Sequence, residues 1–283
     1  MTARRQQVPT LRLVPTSQVR FHEHPERHRT VRLVERLRLD KRLQNPPIVA
    51  DLGDDNYVLL DGANRVSAFR EIGYTQIPVQ VVDYADPALE LKQWHHLLLE
   101  GGSLDLRSAY SHIPGVRLEK VERDRISALL GGRQVFAVLV DDRSDAWGLL
   151  PETSDGVTLR RWMGVLEQVV GAYEGRTHLE RIKWAEFAEL PPVYEERAHQ
   201  LCLYPAFDKP ELLQIVRDGL LIPTGITRHV VPGRALSLHL DLAFLTALQT
   251  DAEREAHFDA FVRQLEVEGR IRFYEESVFL LNE

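Results

Sequence analysis

Five consecutive residues, Asp61-Gly62-Ala63-Asn64-Arg65, set a carboxylate, a glycine, an amide and a guanidinium directly behind the apolar run "YVLL". A glycine between a strand end and a helix start lets the backbone turn sharply. The first turn of the helix that follows has unpaired N–H groups and the positive end of the helix dipole. Such a place holds phosphate well, and Arg65 can add a two-pronged contact. Asp61 can orient Arg65, bind a metal ion, or accept a substrate hydroxyl. Asn64 can cap the helix or hold a ligand. Taken locally, the same five residues are equally a plain turn with a surface arginine.

A second group of titratable residues lies upstream in "RFHEHPERHR". Glu23 is a carboxylate between two histidines. By local composition it also reads as one member of a solvated cluster with His22, His24, Glu26 and Arg27. A third group, "TGITRHVVPGR", holds Thr227, Arg228, His229 and Arg234. Both arginines suit phosphate, and both also read as exposed charges flanking a strand. Trp94, at a helix position, reads as a core residue.

Elements must bring these groups into position. Residues 11–20 read as a short strand and turn, and 25–42 as an amphipathic helix through Val31, Leu33, Val34 and Leu37. "NPPIVADL", the turn "GDDN" and "YVLLDG" read as two strands. Val66, Phe69 and Ile72 mark a short helix closed by Gly73, and "IPVQVVDY" is a further strand. Beyond it, "PALELKQWHHLLL" reads as a helix that points His95 and His96 to different sides. "RQVFAVLVDD" with "AWGLLP" suggests a hairpin. "TLRRWMGVLEQVVGAYEG" carries a helical stripe through Leu159, Met163, Leu166 and Val170. "PELLQIVRDGLLIPTG" reads as a helix stopped at Gly219 and then a strand, "REAHFDAFVRQLEVEG" as a helix, and "RIRFYEESVFLLNE" as a terminal hairpin. The break "EGGSLD" suggests two regions, 1–100 and 101–283, in a mixed α/β chain of the α+β type.

The bulk numbers narrow the function. The chain has 283 residues, a formal net charge of −7 and a single cysteine, Cys202. An acidic chain disfavours life on a polyanion, because phosphate-backbone binding needs a basic face. One cysteine excludes an internal disulfide and a thiolate zinc cage, so a reducing cytoplasm is the expected compartment. No uncharged apolar run reaches membrane-span length. The start, "MTARRQQVPTLRL", lacks the apolar core of a signal peptide and reads as a frayed lead-in. There is no H-E-x-x-H, Walker A or Gly-rich protein-kinase motif.

"PPIVADLGDDNYVLLDGANRVSAFREIGYTQIPVQVVDY" resembles the ParB/sulfiredoxin-type module, whose strand–loop–helix with a G-x-x-R core handles nucleotide phosphates. Sulfiredoxins carry a cysteine in this loop, and Ala63-Asn64 stand here instead. The free L-serine kinase branch of that superfamily, including its siderophore-associated type, is similar at two further places. "RFHEHPE" matches its His-Glu pair at His22-Glu23. "LIPTGITRHVVPGRALSLHLDL" resembles its Pro-x-x-x-Thr-Arg-(His/Phe) segment. Trp94 sits where the branch keeps a tryptophan near the amino acid.

The resemblance implies phosphoryl transfer from ATP or ADP, with Mg2+, to the hydroxyl of free L-serine or a similar hydroxy amino acid. Glu23 would be the base, and Asp61 would orient substrate or Mg2+. Gly62, Ala63, Asn64 and Arg65 would cradle the phosphates. Thr227, Arg228, His229 and Arg234 would close over nucleotide or phosphate, and His22 and Trp94 would adjoin the amino acid. A ParB/sulfiredoxin-like module at 1–100 would then pack against 101–283, which completes the cleft. Two departures stand out. The branch often has Asp-Gly-His-His-Arg in the loop, where this chain has no imidazole. A basic residue often precedes the Thr-Arg pair, where Thr224-Gly225-Ile226 stand here. The other readings are a ParB-like DNA-binding regulator and a nucleotide sensor without catalysis.

Overall fold

The computed structural model describes residues 8–99, 104–141, 145–153, 156–183 and 199–274. They fall into two compact units. The first contains residues 8–20, 25–88 and 231–274, and the second Phe21–His24 and Leu89–Val230. The units thus divide at residues 88 and 230, with a four-residue excursion at 21–24, whereas the sequence reading places one boundary near 100.

The first unit begins with strands β1 (Thr10–Pro15) and β2 (Val19–Arg20), helix α1 (Arg27–Asp40) and the short strand β3 (Arg42–Leu43). Strands β4 (Ile48–Gly53) and β5 (Asn56–Asp61), helix α2 (Ala63–Ile72) and strand β6 (Gln76–Val82) follow. The sheet order is β1-β6-β4-β5-β2. β4 pairs antiparallel with β5 and parallel with β6. Asp54 and Asp55 join β4 to β5 with φ of 52° and 56°. Two positive values in a two-residue hairpin are the I′ arrangement, whose twist suits the flanking strands.

Val49, Ala50, Val58, Leu59, Ile77 and Val79 form the buried middle of this sheet. Each large apolar side chain among them contributes about 1.5–3 kcal/mol by leaving water. α2 buries Val66, Ala68 and Phe69 and stops where Gly73, at φ +97°, donates its N–H to the Phe69 and Arg70 carbonyls. α1 buries Thr30, Val34 and Leu37. Val31, expected on that face, is exposed, and Thr30 takes the inward position one residue earlier.

The second unit is built on a six-stranded sheet. Its elements are β7 (Glu90–Gln93), β8 (His95–Leu99), α3 (Leu106–Ser111), β9 (Val116–Val121), α4 (Ile126–Gly131) and β10 (Ala137–Val140). Then come β11 (Ala146–Pro151), α5 (Leu159–Gly171), β12 (His178–Ile182), β13 (His199–Leu203), α6 (Lys209–Arg217) and β14 (Thr227–Val230). The sheet order is β12-β8-β13-β10-β11-β9, every pair antiparallel, and β7 pairs with β14 outside it.

The helix expected over "PALELKQWHHLLL" is therefore two strands. β8 has neighbours on both edges and all five of its residues buried. A strand covered on both faces loses its alternation, and a short apolar run then looks the same as a buried helix. The hairpin β10–β11 forms as expected. α5 is capped by Thr158, whose hydroxyl accepts from the Arg161 N–H, and buries Trp162, Met163, Val165, Leu166, Val169 and Val170. α6 starts at Asp208, whose carboxylate caps the Glu211 N–H at 2.8 Å, and its chain turns away at Gly219, φ +65°.

The chain then returns to the first unit. β15 (Leu240–Asp241) pairs with β3, and α7 (Phe244–Ala247) leads to α8 (Asp251–Val267). α8 opens on a reciprocal capping box between Thr250 and Glu253, buries Phe258 and packs on β1. Residues 275–283, which carry most of the expected terminal hairpin, lie outside the described residues, and 271–274 form no regular element.

Candidate active site

Two groups of site residues exist, one in each unit. In the first unit β5 delivers Asp61 to the start of α2, and Gly62 makes the turn at φ +103°. A Cβ there would lie 3.0 Å from both the Arg65 Nε and the Pro47 Cβ, so glycine is required by conformation and by space. Asp61 Oδ2 accepts from Arg65 Nη2 at 2.9 Å and from Arg234 Nη1 at 3.0 Å. Burial works to raise the Asp61 carboxyl. The charges and hydrogen bonds of Arg65 and Arg234 together more than offset it and hold the group below its ordinary range.

Arg65 also donates from Nη1 to the carbonyls of Asn45 at 2.7 Å and Pro46 at 2.9 Å. Its guanidinium fastens the loop before β4 to the mouth of β5. Asn64 Oδ1 accepts from the Glu26 N–H at 2.8 Å and the Thr30 hydroxyl at 3.1 Å, so this amide fixes the first turn of α1. The side chains of the loop thus shape the turn, while Ala63 and Asn64 have N–H groups of the kind a helix start leaves without an intrahelical acceptor.

In the second unit Phe21–His24 runs beside Ile222. The Ile222 N–H donates to the His22 carbonyl at 2.8 Å, and the His24 N–H to the Ile222 carbonyl at 3.1 Å. This parallel bridge sets Glu23 against the turn before β14. Glu23 Oε2 accepts from the Thr227 hydroxyl at 3.1 Å and the Gly225 N–H at 3.3 Å. Thr227 Oγ1 also lies 2.8 Å from His22 Nε2. A hydroxyl has one proton, so with Glu23 ionised Thr227 donates to it and His22 donates from Nε2 to Thr227. His22 is buried and packs edge-on to His229 at 5.2 Å. Glu23 and His22 thus leave the solvated cluster, in which His24 and Arg27 remain exposed.

β14 pairs with β7 in the register Thr227↔Gln93 and Arg228↔Lys92, and the Trp94 N–H donates to the Ile226 carbonyl at 2.8 Å. The Arg228 guanidinium lies 4.5 Å from the Trp94 ring centroid. An arginine over an indole face gains about 0.5–2 kcal/mol and keeps its edge for hydrogen bonds. The structure therefore joins His22, Glu23, Thr227 and His229 in one cluster and Trp94 with Arg228 in another. Within the first unit it joins Asp61, Arg65 and Arg234.

Gly225 went unnoticed as a site residue. The signal in the sequence is a glycine two residues before Thr227, and the structure gives it a φ of +74°. Among the described residues no group of three or more His, Cys, Asp or Glu could hold a metal ion. Asp61, with Oδ2 taken by two guanidiniums, can offer Oδ1 alone. That fits Mg2+ carried on nucleotide phosphates, which needs only one or two carboxylates, and does not fit an all-protein cage.

No protein-family model matches the chain. It is 23% identical over 273 residues to the ATP-dependent L-serine kinase SbnI of Staphylococcus aureus, spanning 96% of this chain and 97% of the relative. The ATP-dependent L-serine kinase of Staphylothermus marinus is 24% identical over 224 residues, 78% of this chain and 85% of that protein. Of solved structures, SbnI with a C-terminal truncation matches with a TM-score of 0.72 and 22% identity, covering 90% of this chain and 96% of that one. A free serine kinase in complex with AMP matches with a TM-score of 0.68 and 18% identity, covering 86% and 98%. The chain has the fold of these proteins, and the mixed α/β class expected from its sequence is the observed one.

Proposed function

We propose that the protein transfers a phosphoryl group from ATP to the hydroxyl of free L-serine, giving O-phosphoserine, in the cytoplasm. The observation that carries the reading is the Glu23 carboxylate. Thr227 and Gly225 fix its Oε2, no hydrogen bond from the described residues takes its Oε1, and the side chain is only 22% exposed. A carboxylate held by one oxygen and open at the other is suited to accept a hydroxyl proton as the oxygen attacks phosphorus. The likeness to L-serine kinases over nearly the whole chain supports the choice of acceptor and donor.

The other residues take positioning and charge. The N–H groups at the start of α2 receive phosphate oxygens, with Gly62 giving the close approach and Ala63 presenting no side chain in the way. Asp61 would hold a Mg2+ brought by the nucleotide, which would supply charge neutralisation on the phosphates. Arg65 and Asn64 hold this cradle in shape, and Arg65 adds its positive charge. Arg228, its face on Trp94, directs its edge to phosphate, and Arg234 adds charge beside Asp61. Trp94 and His22 bound the amino acid, and Thr227 and His229 hold the base segment.

The absence of loop imidazoles is consistent with this division, because backbone donors rather than side chains meet the phosphates. Phosphorus NMR of the purified protein with Mg2+, L-serine and either ATP or ADP tests the reading. A phosphomonoester peak coincident with O-phosphoserine is the expected result with ATP. Intact ATP in the presence of serine would refute it.

A further inference from the structure

Behind the Glu23 segment the second unit buries a chain of polar groups that the chemistry above does not use. His96, in the middle of β8, is 1% exposed. Its Nε2 lies 2.8 Å from the Gly225 carbonyl oxygen and its Nδ1 2.6 Å from the Tyr173 hydroxyl. The Tyr173 hydroxyl in turn touches that of Tyr204.

The direction of each bond follows from the inventory of donors. A carbonyl only accepts, so Nε2 carries the proton. Burial lowers the imidazole to about 4, so the ring is neutral and Nδ1 is an acceptor. Tyr173, the nearer phenol, then donates to Nδ1, and the Tyr204 hydroxyl it touches lies 3.5 Å from the same nitrogen. Burial raises both phenols well above their ordinary value, which keeps them protonated donors. The tyrosine pair thus supplies the proton to Nδ1, and His96 donates its own Nε2 proton to the Gly225 carbonyl.

Gly225 is where this chain meets the base. Its carbonyl takes the His96 proton, and its own N–H donates to Glu23 Oε2 at 3.3 Å. It stands at φ +74°, and a Cβ would fall 2.3 Å from Arg181 Nε, so no side chain fits at this position. A glycine in a left-handed turn is free to reorient unless something fixes its peptides. Here the fixing donor is an imidazole whose own orientation is set by a tyrosine pair.

We propose that His96 is a positioning residue for Glu23, acting through the Gly225 peptide and oriented by Tyr173 and Tyr204. The inference rests on the reading of Glu23 as the base.

Two substitutions separate this role from mere filling of the core. Glutamine carries an N–H near the place of Nε2 and preserves the bond to Gly225. Asparagine keeps an acceptor near the place of Nδ1 and loses the reach to Gly225. His96→Asn is expected to lower kcat by about tenfold or more, because small misplacements of reacting groups are costly. KM for ATP should stay within about twofold, since the nucleotide contacts are untouched. His96→Gln should recover most of kcat. Hydrogen exchange of the Gly225 amide, which needs no activity, should quicken in His96→Asn and not in His96→Gln.

Equal kcat in the two variants, or a loss in His96→Asn shared by KM and thermal stability and not rescued by glutamine, would overturn the proposal. If the wild-type protein phosphorylates no serine, the functional reading fails. The Gly225 exchange still decides the anchor, and equal exchange in all forms would overturn it. Should His96→Asn not fold, Tyr173→Phe removes the donor that sets the ring, and unchanged Gly225 exchange in that variant would overturn the proposal equally.

Discussion

Replacing Thr227 by valine removes one hydroxyl and almost no volume. In the folded protein that hydroxyl donates to Glu23 Oε2 at 3.1 Å and faces His22 Nε2 at 2.8 Å. Two costs follow. The carboxylate loses a charge-assisted hydrogen bond, worth roughly 1.5–3 kcal/mol. The His22 Nε2 loses the hydroxyl it faces, a single hydrogen bond worth about 0.5–1.5 kcal/mol. The first cost bears on activity, because Glu23 keeps only the longer 3.3 Å bond from Gly225. If the carboxylate's placement supplies the hydrogen bond's worth to the transition state, kcat falls about 10- to 100-fold. The second cost bears on stability, a Tm lower by a few degrees, at about 2–4 °C per kcal/mol for chains near this size. The assay is ATP-dependent formation of O-phosphoserine, with Tm measured on the same samples. Thr227→Ser restores the hydroxyl without the methyl and should return most of kcat. A Thr227→Val enzyme with wild-type kcat would refute the reasoning, as would a serine variant no more active than valine.

Three further outcomes are expected. The Asp61 carboxyl is held below its ordinary value in the folded state, so its pairing with Arg65 and Arg234 stabilises above the unfolded value and is lost as pH falls through the folded one. Asp61→Asn should therefore flatten the acid end of a urea-midpoint curve below about pH 4, and an unchanged slope there would contradict the pairing. His95 and His96 are each lowered by burial to about 4. Between that value and the ordinary one near 6.5 the unfolded chain binds more protons, so stability must fall as pH drops through this window. His96→Gln should lessen the fall, measurable by the same curve. Gly225→Ala, which meets both a positive φ and the Arg181 guanidinium, should lower Tm and kcat together, and wild-type behaviour would show that the turn is not constrained.

The first sheet was legible because its signals are local. "GDDN" supplies the hairpin turn, β4 and β5 flank it, and Gly73 closes α2 within a few residues of the pattern that starts it. β8 was not legible for the opposite reason. Its edges are filled by β12 and β13, roughly eighty to a hundred residues away, and burial on both faces erased the alternation that marks a strand. The same holds for the return of residues 231–274 to the first unit, which depends on pairings such as Leu240↔Leu43.

At the site, residue types were legible and their partners were not. Arg65 reads as a phosphate ligand by type, yet its bonds go to Asp61 and to the carbonyls of Asn45 and Pro46, which no spacing rule announces. Asn64 reads as a cap of its own helix and instead holds the start of α1. Glu23 gains its definition from Gly225 and Thr227, about two hundred residues distant.

Glu23→Gln is the substitution that decides whether Glu23 takes the serine proton. Glutamine keeps an oxygen for Thr227 and Gly225 but is no longer a base. This variant should bind ATP with near wild-type affinity by calorimetry and form no O-phosphoserine detectable by phosphorus NMR. Turnover at the wild-type rate in Glu23→Gln would contradict it.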